Sequence, residues 1–141
     1  MEDLKVAIKG KVYFPKYEGD TFTCAVAVDG RTEQVLSAKC TEAFGYALSV
    51  KDAKFHEDTF RCINVSSQFK VPVVNAEYDP LFKNGTKEFV DLYNGADVDV
   101  SLTIKPYEYR GRKGVTAYVR GVKLLSEVKE ASYESMFTNL L

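Results

Sequence analysis

At 141 residues with 45% hydrophobic content, the chain is predicted to form one domain that buries roughly two-thirds of its unfolded surface without metal or disulfide support. No apolar run reaches the roughly 18 residues of a membrane span, and the charged start Met1-Glu2-Asp3-Leu4-Lys5 is not a signal peptide, so the expected location is a cytoplasm. The formal net charge of −1 does not by itself point to a polyanionic partner.

The local distribution of charge does. Lys105 to Lys123 carries six cations (Lys105, Arg110, Arg112, Lys113, Arg120, Lys123) against one anion, Glu108. Lys5 to Lys16 carries four cations and no anion. Binding follows the local field rather than the sum. Cys24, Cys40 and Cys62 show no Cys-x-x-Cys spacing, which argues against a disulfide framework or zinc site and for reduced, mainly buried thiols.

In chain order, Lys5 to Phe14 alternates. Val6, Ile8, Val12 and Phe14 share one parity and Lys5, Lys9, Lys11 and Tyr13 the other, predicting a strand with an apolar inner face and a basic outer face. Pro15 is expected to end it. Thr21 to Val28 is a second strand, closed by Asp29-Gly30. From Arg31 to Leu48 the period changes: Val35, Leu36, Cys40, Ala43, Phe44 and Ala47 recur at helical spacing, with Thr32 or Asp29 as N-cap and Gly45 as the stop. This helix is expected to plug one end of a barrel. Thr59 to Val65 and Gln68 to Val74 read as strands, with Pro72 placing the latter on an edge or at a bulge. Asn75 to Gly85 reads as loop, and Lys87 to Tyr93 as a short segment ending at Asn94-Gly95.

The clearest pattern follows. Val98, Val100, Leu102 and Ile104 alternate with Asp97, Asp99, Ser101, Thr103 and Lys105, and Gly114 to Leu125 is rich in β-formers. Together they predict a long hairpin around Tyr109-Arg-Gly-Arg-Lys-Gly114, whose glycines permit positive φ. Residues 1–125 then form the domain, mainly β: about five strands and one amphipathic helix in a small closed or partly open barrel. Residues 126–141 form a polar tail or short helix.

Catalytic machinery is not evident. The one histidine, His56, sits in Lys-Phe-His-Glu-Asp with no nucleophile motif around it, and reads as a surface residue. No Gly-x-x-x-x-Gly-Lys-Ser/Thr phosphate loop occurs. Asp97 and Asp99 share a strand face, yet no further carboxylates at similar spacing complete a two-metal site. No enzyme, cofactor or metal is expected.

What remains is cations interleaved with aromatics on outward positions: Lys9, Lys11 and Tyr13; Lys105, Tyr107 and Tyr109; Thr116, Tyr118 and Arg120. Single-stranded nucleic acid is recognised by this combination, cations neutralising phosphates and flat rings stacking on bases. The alternative is that these tyrosines are ordinary cross-strand partners and the lysines solvate the sheet.

The order Lys-Val-Tyr-Phe-Pro-Lys-Tyr, TFTCAVAVDG, helix, and then NGADVDVSLTIKPYEYRGRKGVTAYVRGVKLL resembles the small OB-fold single-stranded-DNA-binding proteins of tailed bacteriophages, over Lys5 to Leu125. The resemblance implies a five-stranded barrel whose groove holds single-stranded DNA during phage replication, recombination and repair in the host cytoplasm. By position it implies that Pro15, Lys16, Tyr17, Lys105, Tyr107, Tyr109, Tyr118 and Arg120 lie on or near the groove. The basic and aromatic segments themselves add Lys9, Lys11, Tyr13, Arg110, Arg112 and Lys113 to the expected DNA contacts. That family usually ends in a long acidic tail that docks replication proteins. Here Glu130 to Leu141 is only mildly acidic, which leaves phage or host replication proteins, or a homodimer, as partners for its hydrophobic end at Phe137 and Leu140. A barrel for protein contact, such as an assembly or inhibitor module, is the alternative function.

Overall fold

The computed structural model describes residues 3–128, so the sequence readings for Glu130 to Leu141 lie outside the described residues. The elements in order are β1 (Leu4–Glu18), β2 (Thr21–Ala27), α1 (Gly30–Phe44), β3 (Lys51–Phe55), β4 (Asp58–Ser67), β5 (Val73–Val74), β6 (Ala96–Tyr109) and β7 (Arg112–Leu124). Five of the strands close on themselves: β4 pairs β2, β2 pairs β1, β1 pairs β6, β6 pairs β7, and β7 returns to β4 through the parallel pairs Val65↔Ala117 and Ser66↔Tyr118. This is the five-stranded barrel of the OB fold that the family resemblance implies. Two further strands, β3 and β5, hang on the sheet edges.

The barrel closes because its strands alternate. Val12, Phe22, Val26, Ile63, Val98, Val100, Leu102 and Ile104 are almost wholly buried and meet inside it. The expected alternation of β6 holds through Ile104. Helix α1 is capped by Asp29, whose carboxylate accepts the Thr32 amide at 2.7 Å, and Gly45 ends it at φ 80°. It adds Leu36, Cys40 and Phe44 to the core, one face at i, i+4 and i+8. Val35 and Ala43, expected on that face, are exposed. Arg61 of β4 fastens the helix to the sheet, its guanidinium donating to Glu33 at 2.7 Å and to Asp52 of β3 at 2.9 Å.

The structure corrects two expectations and fills in two stretches. Pro15 does not end β1: the strand continues to Glu18 through a bulge, in which Tyr13 faces Ala25 and Lys16 faces Thr23. A bulge position tolerates a residue with no amide hydrogen. Lys51–Phe55, where the sequence shows no clear period, is a strand. β4 runs unbroken to Ser67, whereas from Gln68 to Val74 only Val73–Val74 is strand. Lys87 to Tyr93 forms no strand: it meets Phe82 by one bridge at Phe89 and buries Val90 and Leu92 over the core. Among the described residues no helix is long and apolar enough to cross a membrane.

Candidate nucleic-acid interface

The closure of β4 on β7 creates one continuous outer face from β2 across β4 to β7. Inward parity belongs to Phe22, Cys24 and Val26, to Ile63 and Val65, and to Val115, Ala117 and Val119. Outward parity therefore presents Thr23, Asn64, Ser66, Thr116 and Tyr118, and the pairs Thr23↔Ser66 and Ser66↔Tyr118 set them side by side. An open cleft of about 450 Å³ lies over Thr23, Ala25, Asn64, Ser66 and Thr116, with Phe14 as one wall. Its floor is uncharged, small and hydroxyl- or amide-bearing.

The β6–β7 hairpin prolongs this face into an arm. Cross-strand partners share a face, so Thr103↔Tyr118, Lys105↔Thr116, Tyr107↔Gly114 and Tyr109↔Arg112 put Lys105, Tyr107, Tyr109, Arg112 and Tyr118 on one surface. Arg120 joins them through a bulge: Leu102 pairs with Val119 and Ser101 with Gly121, which leaves Arg120 as the extra residue. The arm turns on Arg110 and Gly111, at φ 50° and 78°, the two positive angles of a type I′ hairpin. Gly114, expected to supply a second turn glycine, lies instead within β7. There the Tyr107 ring lies across it, so close that an added Cβ would meet the ring hydroxyl at 2.6 Å.

Two of the cations on this surface have carboxylate partners among the described residues, and two lie against tyrosine rings. Lys105 sits 6.0 Å from the Tyr118 ring centroid and 3.6 Å from the Asp3 carboxylate. Arg110 lies over Tyr109 at 5.2 Å. Lys16, on the Thr23 side of β1, pairs with Glu18 at 3.0 Å.

Other residues expected at the interface lie elsewhere. Lys9 and Lys11 face out between β1 and β6, opposite Asp99 and Asp97, and Lys11 is 3.9 Å from Asp97. Lys113 pairs with Glu108 on the opposite face of the arm. Tyr13 is not an exposed ring: it is buried, stacked on Phe60 at 4.1 Å and flanked by Phe55 at 5.5 Å. Tyr17 packs on Phe22, and its hydroxyl accepts the Leu92 amide at 2.8 Å. Desolvation pushes the Tyr17 phenol up to about 12 although that amide hydrogen bond pulls the other way.

Parity reasoning missed Phe14. Alternation assigns it to the core, but the bulge turns it outward at φ 55°, with its amide donating to the Asn94 side chain at 2.6 Å. A bulky residue at positive φ is strained, and such strain gathers at functional sites. The Phe14-Pro15 step inside an alternating run is the signal from which a bulge could be read. Asp97 and Asp99 are tied to Lys11 and Lys123, the latter at 3.3 Å.

No family model and no curated sequence matches the chain. Solved structures do match. The chain is similar to gp2.5, a single-stranded DNA binding protein encoded by bacteriophage T7, with a TM-score of 0.59 at 12% identity over 99% of this chain and 96% of that one. It is also similar to the single-stranded DNA-binding protein from bacteriophage Enc34, with a TM-score of 0.58 at 16% identity over 90% of this chain and 84% of that one. The same Enc34 protein in complex with single-stranded DNA matches at a TM-score of 0.54 and 17% identity, over 90% and 89% of the two chains. The shared feature is the fold: among its described residues this chain has an OB barrel, similar to those of these phage proteins.

Proposed function

We propose that the chain binds single-stranded DNA with little sequence preference, along the outer face of β2, β4 and β7, in the replication, recombination and repair of a phage genome. The observation that carries this is the composition of that one face. A neutral polar floor at Thr23, Asn64, Ser66 and Thr116 is bordered by Tyr118, Tyr107 and Tyr109 and by Lys105, Arg112 and Arg120. Tyrosines stack on bases of any identity, and the cations release counterions from phosphates. A floor without charge lets bases lie on it without desolvating an ion. The phage proteins of the same fold, named as single-stranded DNA binders, support the reading.

Duplex DNA offers no free base faces, so the groove should prefer single strands. The test is fluorescence anisotropy of a labelled oligothymidylate and of a duplex of equal length, at low and at physiological salt. Tighter binding of the single strand at both salts is expected. Equal affinity for duplex would reduce the claim to a basic patch, and absence of oligonucleotide binding at low salt would favour a barrel for protein contact.

A further inference from the structure

We infer that Phe69 and Tyr118 form a nucleobase-binding subsite that extends the groove beyond its strand floor. The inference rests on the single-stranded-DNA reading above. Phe69 is 79% exposed, the most exposed of the large hydrophobic residues among those described. Single exposed apolar residues are common, but this one is held in place. Ser67, itself buried, accepts the Phe69 amide at 3.1 Å and donates its hydroxyl to the Phe69 carbonyl at 2.9 Å. The chain therefore leaves β4 in a fixed turn that projects the ring outward instead of folding it onto the core.

Phe69 borders an open hollow of about 640 Å³ that Tyr118 of β7 also lines. Lys70, Lys105 and Arg120 line the same hollow. Two aromatic residues with three cations around them match a nucleotide, with a base for the rings and phosphates for the rim. Lys70 and Lys105 each have one exposed carboxylate nearby, Glu88 at 3.9 Å and Asp3 at 3.6 Å, and an apolar protein side chain would satisfy the rings while offering nothing to Arg120. Gln68 adds an amide able to hydrogen-bond a base edge. The hollow adjoins the proposed groove through Tyr118, so one strand crossing Thr116 and Tyr118 reaches Phe69 next.

The chain contains no tryptophan, so Phe69→Trp introduces a single reporter at the subsite. Saturating oligothymidylate is expected to quench it, whereas an abasic oligonucleotide of equal length, bound as judged by anisotropy, is expected to leave it unchanged. Phe69→Ala should weaken oligothymidylate binding roughly 5- to 150-fold at an unchanged salt slope, because no charge is removed. Its thermal midpoint should match the parent's, because the ring is exposed. If the parent binds oligothymidylate while Phe69→Ala binds equally well, the subsite is wrong and the groove reading stands. Quenching by the abasic strand equal to that by oligothymidylate likewise overturns the subsite. If the parent binds no single strand, both readings fall.

Discussion

Replacing Gly10 by alanine should loosen the barrel more than its size implies. Gly10 sits where β1 passes from pairing β6, through Val12, to pairing β2, from Lys11 onward. The close approach at this bend is made by backbone: a Cβ on residue 10 would lie 2.1 Å from the Ala27 carbonyl oxygen and 3.0 Å from Val26 Cγ1. Carbon–oxygen contacts settle near 3.3 Å, so β1 and β2 must part by about 1.2 Å. A shift of that size breaks hydrogen bonds that tolerate only about 0.5 Å. Two disrupted ladder bonds cost about 1–3 kcal/mol, and residual overpacking costs about 1–3 kcal/mol more. Alanine's advantage over glycine in a strand returns about 0.5–1 kcal/mol. The net loss is about 3 kcal/mol, which for a domain of this size lowers the thermal midpoint by about 10–15 °C. Circular dichroism melting measures it. Gly114→Ala is the matched control, because the nearest atoms to its Cβ are the hydroxyl, Cζ and Cε1 of the Tyr107 side chain, which can swing away. A Gly10→Ala midpoint within about 3 °C of the parent would refute the claim that a rigid carbonyl sets the cost.

Four further outcomes follow from the geometry. Tyr118→Ala should lose about 1–3 kcal/mol of affinity for single strands with little change in melting; unaltered anisotropy titrations would remove Tyr118 from the interface. Arg120→Ala should flatten the dependence of log affinity on log salt by about 0.7 if it neutralises one phosphate; an unchanged slope would show that the bulged arginine touches none. Tyr13→Ala, at a buried ring stacked on Phe60, should cost about 3 kcal/mol of stability, and an unchanged denaturant midpoint would contradict its burial. Burial pushes the Cys24 thiol up to about 12, above its unfolded value near 8.5. The neutral thiol is favoured in the folded state, so this contribution is complete below that unfolded value and is lost as pH rises towards 12. Denaturant midpoints should fall less steeply over that window in Cys24→Ala, and parallel slopes would contradict the assignment.

The parts of the fold legible in the sequence are those governed by local period. Val98 to Ile104 alternate and are buried in alternation, and Leu36, Cys40 and Phe44 recur at helical spacing and are buried together. Asp29 and Gly45 signal both helix ends correctly because capping is local chemistry. Period fails where the backbone breaks register. The bulge at Phe14-Pro15 puts Phe14 outside against its parity. Tyr13 keeps its outward parity, yet β3 brings Phe55 beside Phe60 and covers it. The candidate site was half legible. Lys105, Tyr107 and Tyr109 share a face because one strand carries them, and Tyr118 and Arg120 because the next does. That β4 meets β7, and so that Ser66 lies beside Tyr118, is a non-local pairing with no local signal. Lys9 and Lys11 read as basic, but their neighbours across the ladder are Asp99 and Asp97, nearly ninety positions away in the chain. Phe69 carries no periodic signal, because it follows the end of β4.

The central claim is a location, and a heteronuclear NMR titration of the labelled chain with oligothymidylate tests it most directly. The account predicts that amide shifts concentrate at Thr23 to Ala25, Asn64 to Ser66, Lys105 to Tyr109 and Thr116 to Arg120, while Lys9, Lys11, Asp97 and Asp99 on the β1–β6 exterior stay still. Shifts centred on that exterior, with the β2–β4–β7 face silent, would contradict it.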